Sequence, residues 1–282
     1  MNYIKVTNDK GTSLVIDNTN NYSLIDIIGL NPPKANINRT MIAGSDGSSV
    51  VNTYVQDRNI VMTLQLMGDI EANRLALYDI FKIKRNVTFL YSSNLIEAKI
   101  QGYVEAVEVP PMVWPVKALI SLICPQPYFE ALENIIADIA SINAQFSFPL
   151  ELISGGIEMG IINPSQAINV LNPGDIPVGM IITYRATGAV VNPKIINTHT
   201  LEFIELTTSM ESGDVITIST ETNKKRIQRI RDGVVSNLFN ALVLGSTFLQ
   251  LSEGDNVLYV SAQSGSSALL ADIQYIPKYS GV

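Results

Sequence analysis

The sequence has few of the side chains from which most catalytic and metal sites are built. Its 282 residues include one cysteine, one histidine and one tryptophan. The single cysteine, Cys124, excludes an internal disulfide framework and a multi-cysteine metal cluster. It follows an apolar run, residues 119–123, which favours a buried thiol over a reactive one. The single histidine, His199, excludes a histidine-rich metal site and makes any Ser-His-Asp triad depend on one position.

Charged residues are also scarce, at 16% of the chain against 46% hydrophobic residues. This balance is too apolar for a disordered chain, and the length exceeds what one core usually organises, so two folded domains are predicted. The shortage of charge hints that part of the surface is buried against other chains. The net charge of −7 argues against non-specific binding to DNA, which depends on Lys and Arg.

Long apolar runs are absent as well. No window approaches the roughly 18 uncharged apolar residues of a membrane span, so membrane insertion is not expected. The first six residues lack the apolar core of a secretory signal. We therefore expect the protein to be made and kept in the cytosol unless another system exports it.

The first 124 residues are predicted to be mainly strands. Asn8 to Gly11 form a turn that closes a first hairpin, and residues 56–58 separate the two strands of a second pair. The predicted strand Glu97–Val109 is expected to bend or bulge at Gly102. The predicted strands are Tyr3–Val6, Ser13–Asp17, Val50–Val55, Asn59–Leu66, Val87–Tyr91, Glu97–Val109 and Val116–Cys124.

One helix is predicted within this strand-rich part, over residues 70–82. Asp69 stands at the N-cap position, and Glu71 favours the positive end of the helix dipole. Three apolar residues recur at helical spacing, which predicts that they share one face: Leu75, Tyr78 and Phe81.

The chain changes character between Pro125 and Pro149. The prolines after Cys124 end the last strand, and residues 130–142 are helix-permissive. We place the domain boundary here, with a first domain over 1–130, a linker over 131–145 and a second domain over 146–282.

The second half is predicted to be an antiparallel β-sandwich. Short β-rich runs are separated by Gly, Pro, Asn and Asp at roughly 8–12-residue spacing. Asp232-Gly233 is the sharpest hairpin signal. The predicted strands are Val178–Tyr184, Lys194–Asn197, Glu202–Leu206, Asp214–Ser219, Arg226–Arg231, Val234–Leu238, Thr247–Leu251 and Asn256–Ala262.

The sequence shows no catalytic signature, so no catalytic, cofactor-binding or metal-binding residues are predicted. We interpret His199 as a loop or strand-end residue that bonds locally. Gly155-Gly156 belongs to no phosphate-binding motif. The basic run 224–231 could contact nucleic acid or an acidic partner, but we favour an exposed hairpin strand whose charges guard a sheet edge. Four carboxylates lie close together in sequence but are interpreted as scattered solvated charges: Glu202, Glu205, Glu211 and Asp214.

Several segments taken together resemble the distal tail protein (Dit) family of siphophages. Their order and spacing cover nearly the whole chain. The segments are Arg58–Asp69 followed by Glu71, Arg74, Leu77-Tyr78 and Phe81, then Gly102–Glu105, Cys124–Phe129, Asn192–Ile195, Gly213–Ile218 and Leu251–Asn256.

The resemblance implies a structural protein, not an enzyme, that needs no cofactor. Members form a hexameric ring at the distal end of the tail tube, between the tube protein and the tail-tip or tail-associated lysin protein. The N-terminal domains build the ring, and a galectin-like β-sandwich projects outward. It implies a location at the virion tail tip after assembly in the host cytoplasm, with receptor-binding proteins as further partners.

The alternative is a receptor- or carbohydrate-binding tail component that acts through the C-terminal sandwich. Exposed aromatic residues on a sandwich face would favour it, but the only tryptophan, Trp114, lies in the first half. An enzyme with a carboxylate pair ranks third, because no motif supports it.

Overall fold

The computed structural model describes residues 3–18, 21–44, 46–110, 113–138, 140–143, 161–164 and 167–282. The chain forms two compact units, one of Met1–Leu132 with Lys278–Val282 and the other of Glu133–Pro277. The last five residues thus return to the first unit. The finer division into 1–130, 131–145 and 146–282 stays a prediction, and residues 144–160 of it, with Gly155-Gly156, lie outside the described residues.

The first unit is built from antiparallel strands and one helix, α1 (Ile70–Ile80). Its strands are β1 (Tyr3–Asn8), β2 (Ser13–Ile16), β3 (Tyr22–Ile28), β4 (Ala35–Met41), β5 (Ser48–Val55), β6 (Arg58–Leu66), β7 (Asn86–Ser92), β8 (Glu97–Glu108), β9 (Lys117–Cys124) and β10 (Phe129–Ala131).

The main sheet of this unit has the strand order β2-β1-β7-β8-β9-β6-β3. Strand β6 alternates as predicted, with Ile60, Met62, Leu64 and Leu66 buried on the inner face. Leu77 and Phe81, at the end of α1, join the same apolar core. The first hairpin is confirmed, because β1 and β2 pair antiparallel across residues 9–12.

Helix α1 begins as predicted but buries a different face. The Asp69 carboxylate accepts a hydrogen bond from the Ala72 amide at 3.1 Å and so caps the helix. Of the predicted apolar face, Phe81 is buried, but Leu75 and Tyr78 are exposed, and the buried apolar residues of the helix itself are Leu77 and Ile80. Sequence spacing fits both faces, and contact with the sheet selects the one that carries Leu77.

Two further predictions for this unit are corrected. Strand β5 does not pair with β6: β5 pairs with β4, and β6 lies between β3 and β9. The irregularity in β8 lies between Val104 and Ala106, not at Gly102. Glycine is needed at 102 for space, because a Cβ atom there would lie 2.9 Å from the Cys124 sulfur.

Arg58, placed in a turn by the sequence analysis, is the first residue of β6 and is buried. Its guanidinium stacks on the Phe129 ring at 4.6 Å and lies within 2.5–2.9 Å of four backbone carbonyl oxygens. Burial lowers the pKa of Arg58, although the group stays charged at neutral pH. The side chain joins β6 to three other segments of the unit through the carbonyls of Gly29 and Asn31, of Pro127 and of Ser280.

In its described residues, the second unit contains short strands and two 3-10 helices, Phe239–Ala241 and Ser266–Ala268. Its strands are β11 (Ile135–Asp138), β12 (Ala140–Asn143), β13 (Ile161–Pro164), β14 (Ala167–Asn172), β15 (Val178–Gly179), β16 (Ile181–Ala186), β17 (Val190–Asn197), β18 (Phe203–Glu205), β19 (Ser209–Met210), β20 (Val215–Ser219), β21 (Arg226–Arg231), β22 (Val234–Asn237), β23 (Gln250–Leu251), β24 (Gly254–Ser264) and β25 (Leu269–Tyr275). The last strand, β26 (Lys278–Tyr279), belongs to the first unit and pairs with β10.

The predicted sandwich is confirmed in this unit. One sheet has the order β11-β25-β16-β20-β21-β22, and the other has the order β14-β24-β17-β18 with β19 paired to β17. Tyr184 and Ile273 from the first sheet share one core with Ile195 and Leu258 from the second. The Asp232-Gly233 turn is also confirmed, since both residues have positive φ (50° and 75°) and join β21 to β22.

Two predictions for the second half are wrong. Residues 130–142 are not helical but contribute to β10, β11 and β12. The basic run does not guard a sheet edge, because β21 lies between β20 and β22. The strand at that end is β22, whose Val234 is 67% exposed. Among the described residues, no helix has the length and apolar character to cross a membrane.

Candidate assembly surface

The two residues considered first for chemistry are placed as the sequence predicts. His199 lies in the turn after β17, where its backbone N–H donates to the Asn197 side-chain oxygen at 2.9 Å. Cys124 is fully buried, and burial raises the pKa of its thiol to about 12. A thiol with this pKa is protonated at neutral pH, so it is a poor nucleophile.

The four carboxylates are tied to different neighbours. Glu205 pairs with Lys194 at 3.1 Å. Asp214, whose side chain is 2% exposed, pairs with Arg231 of the basic run, and Glu211 reaches the same guanidinium at 3.1 Å. The hydrogen bond from Arg231 holds the pKa of Asp214 below its usual range. Glu202 accepts a hydrogen bond from the Thr200 hydroxyl at 3.3 Å. These contacts stabilise the sandwich loops and bring only Glu211 and Asp214 together.

The most exposed ordered element of the first unit is the hairpin of β4 and β5. It forms a two-stranded sheet separate from the main sheet. Within the two strands, every residue except Asn36 and Val55 is exposed. A two-stranded hairpin is marginally stable in water on its own, so this element is expected to need a partner surface.

The pairing register gives the hairpin one polar and one apolar face. The polar face carries Asn36, Asn38, Thr40, Ser49, Asn52 and Tyr54, and the Asn36 amide donates to the Tyr54 hydroxyl at 3.1 Å. The opposite face, called the apolar hairpin face, carries Ala35, Ile37, Arg39, Met41, Ser48, Val50, Thr53 and Val55.

The apolar hairpin face is open to solvent. Ile37 is 54% exposed, Met41 88% and Val50 56%. Val51, the extra residue where the register shifts, is 68% exposed. Alternation of apolar and polar residues along a strand is typical of a sheet covered on one side. The hairpin therefore has the pattern of an interface strand pair.

Sequence reasoning found only half of this surface. Strand β5 was predicted from its valines, but β4 was missed because Asn, Arg and Thr interrupt it. The available signal was the alternation of Ala35, Ile37 and Met41, which Arg39 breaks. The residues of this face that the sequence analysis did not identify include Ile37, Arg39 and Met41.

The chain was compared with known families, proteins and structures. Residues 173–279 match the model of the siphovirus-type tail component, C-terminal domain. No curated protein gives a significant match. The structure of SPP1 Dit (gp 19.1), described as a paradigm of the hub adsorption apparatus in phages infecting Gram-positive bacteria, aligns with a TM-score of 0.67 and 13% identity, covering 98% of each chain.

Two structures of the phage P2 baseplate in its activated conformation, with Ca and with Sr, also align. Each gives a TM-score of 0.48 at 14% identity over 100% of both chains. At this TM-score and identity, the two alignments support no conclusion about this chain. Residues 173–279 of this chain are therefore similar to the C-terminal domain of siphovirus-type tail components, and the chain has the fold of SPP1 Dit.

Proposed function

We propose that the chain is a structural hub subunit of a siphophage-type tail tip, acting by assembly and not by catalysis. The match over 173–279 and the fold shared with SPP1 Dit support the tail role. The observation that carries the assembly role is the uncovered apolar hairpin face of the first unit. Burial of this face against another chain removes apolar surface from water, which stabilises association by roughly 25 cal/mol per Å².

The assembly is a closed homo-oligomeric ring, a hexamer in the form implied by the resemblance, built by the first unit. On either side of the ring we place the tail tube protein and the tail-tip or tail-associated lysin protein. The location is the virion tail tip, reached by assembly in the host cytoplasm. These partners follow from the resemblance, and the hairpin supplies a surface through which copies join.

The alternative, carbohydrate or receptor binding through the sandwich, has less support. An open depression of the second unit is lined by Thr222, Asn223, Lys225, Phe248 and Gln250. Its aromatic ring, Phe248, stacks with Phe239 at 5.9 Å and has the Lys225 ammonium 5.0 Å from its centroid. Because these neighbours take up the ring faces, Phe248 offers little free surface for a sugar to stack on.

Sedimentation velocity of the full chain tests the ring. We expect a closed oligomer at tens of micromolar. The double variant Ile37→Thr/Val50→Thr keeps strand-forming residues but removes apolar area, and should weaken association by about 30-fold, from roughly 1 kcal/mol per side chain. The matched control, Asn38→Thr/Asn52→Thr, changes the polar face and should assemble like the wild type. A wild-type chain that stays monomeric would contradict the ring.

A further inference from the structure

The main sheet of the first unit has a second exposed apolar region. It lies on the outer face of β3, β6, β8 and β9, opposite the core, and we call it the outer patch. Ile28 pairs with Val61, Val61 with Ser121, and Tyr103 with Ile123, so their side chains lie side by side across the four strands. Ile28 is 62% exposed, Tyr103 49% and Leu119, also on this face, 40%.

A fixed carboxylate lies among these apolar residues. Glu105 occupies the irregular position in β8, where a bulge re-aims the side chain. The Ser121 hydroxyl, in a residue only 6% exposed, lies 2.7 Å from the Glu105 Oε2 atom and 3.2 Å from the Asn59 Oδ1 atom. The Asn59 amide donates to the same Glu105 oxygen at 3.3 Å. These donors orient the carboxylate, yet within the described part of the chain it has no ion pair.

A matching cation lies in the apolar hairpin face. Arg39 sits between Ile37 and Met41 along β4, is exposed and has no ion pair among the described residues. Covering the hairpin removes water from this guanidinium, which is costly unless a carboxylate replaces the water. Arginine suits this role because its planar fork can bind a carboxylate through two parallel hydrogen bonds.

We propose that the apolar hairpin face of one copy docks on the outer patch of the next copy, with Arg39 bonded to Glu105 of the neighbour. Each surface carries exposed apolar residues, and the charge of Arg39 on one is opposite to that of Glu105 on the other. Two further carboxylates, Asp26 and Glu108, lie on the outer face of the same strands. The proposal rests on the proposed function and names the receiving surface that the ring requires. It commits to a second copy of this chain as the occupant of both surfaces.

The two surfaces differ, so the contact is head-to-tail. A head-to-tail contact repeats from copy to copy until rotation closes it, which produces a ring and not a two-fold dimer. Both surfaces belong to the first unit, so this unit alone supplies the two sides of every contact. The charge pair then sets the register between copies, because a shifted alignment covers both charges without pairing them.

A charge swap in the full chain tests the pairing. Arg39→Glu or Glu105→Arg alone should weaken association by about 30-fold or more, since each leaves two like charges at the contact. The double variant Arg39→Glu/Glu105→Arg should recover most of the loss. The control Lys10→Glu, an exposed charge change elsewhere in the unit, should assemble normally. Loss of assembly in both single variants without recovery in the double variant overturns the pairing.

Cross-linking gives a second readout that does not depend on affinity. The variant Arg39→Cys/Glu105→Cys, treated with a short bismaleimide, should give a ladder of multimers on a denaturing gel. The native Cys124 is buried and should not react. Lys10→Cys/Glu105→Cys is the matched control and should stay monomeric on the gel. If the chain assembles and Ile37→Thr/Val50→Thr disrupts it, but no ladder forms, the outer patch is the wrong surface while the proposed function stands. A chain that never assembles overturns both.

Discussion

Replacement of Arg58 by methionine tests whether one buried side chain ties together the ends of the first unit. Its guanidinium faces four carbonyl oxygens, from the loop after β3, from the segment before β10 and from the C-terminal residues. Methionine fills much of the same volume but donates no hydrogen bond. The variant therefore removes the donors while it keeps most of the packing.

The expected loss follows from those four acceptors. A buried carbonyl without its donor costs about 1–3 kcal/mol. The four residues that supply the carbonyls are all at least partly exposed, so water can replace part of the loss and the lower figure applies. We expect the free energy of unfolding of the first unit to fall by about 4 kcal/mol, a large effect for one substitution.

Differential scanning calorimetry of the full chain measures this change. At about 4 °C per kcal/mol for a unit of this size, the transition of the first unit should fall by about 15 °C while that of the second unit stays in place. Hydrogen exchange should speed up at the Val282 amide, which donates to the Leu30 carbonyl at 3.1 Å, between the Gly29 and Asn31 carbonyls that Arg58 binds. Arg58→Lys keeps the positive charge with fewer donors, so its transition temperature should lie between those of the wild type and Arg58→Met.

The control is Arg85→Met, which removes an exposed arginine of the same unit. Arg85 pairs with Asp9 at 3.1 Å, and its side chain is 62% exposed. Such a pair contributes at most about 1 kcal/mol. If the free energy of unfolding of Arg58→Met lies within about 1 kcal/mol of that of this control, the four hydrogen bonds do not hold the segments together.

Two further predictions concern single groups. Because Arg231 lowers the folded-state pKa of Asp214, the stability from this pair is present above the unfolded-state pKa of about 3.9 and is lost as the pH falls through the folded-state pKa. The variant Asp214→Asn should therefore make the free energy of unfolding of the second unit depend less on pH in the acid range. Urea titrations in which this variant loses stability in acid as steeply as the wild type would contradict the prediction. Cys124, with its pKa raised to about 12, should react with a thiol reagent only on unfolding, and fast labelling of the native chain would show an opening that the fold does not contain.

Local patterns predicted individual strands well and their partners poorly. The alternation of Ile60, Met62, Leu64 and Leu66 identified both β6 and its buried face, because every second side chain of a strand points to the same face and this pattern is visible in a short stretch of sequence. Nothing in that pattern says that β6 pairs with β3 and β9 and not with the preceding strand. Pairing over long sequence separations depends on the whole core, which a local window does not contain.

The same limit explains the helix wrongly predicted over residues 130–142 and the missed surface. Residues 130–142 mix isoleucines with alanine and charged residues, and they form strands because distant partners such as β25 and β26 pair with them. The apolar hairpin face needs the register of two strands, one of which is polar in composition. Arg39 and Glu105 are each ordinary surface charges in the sequence, and only the fold shows that neither forms an ion pair within the part of the chain that the structure describes.

The pairing of β10 with β26 has a consequence for how the chain can be divided. Phe129 lies opposite Tyr279 and Glu130 opposite Lys278, so the chain leaves the first unit and re-enters it at neighbouring points. The second unit is therefore inserted into the first, with a chain connection to it at each end. A single protease cut near residue 132 does not release it, and a fragment that stops at Phe129 loses β26 and the Ser280 carbonyl bonded to Arg58. Any module whose two ends lie as close as neighbouring strands can occupy the same place in the chain.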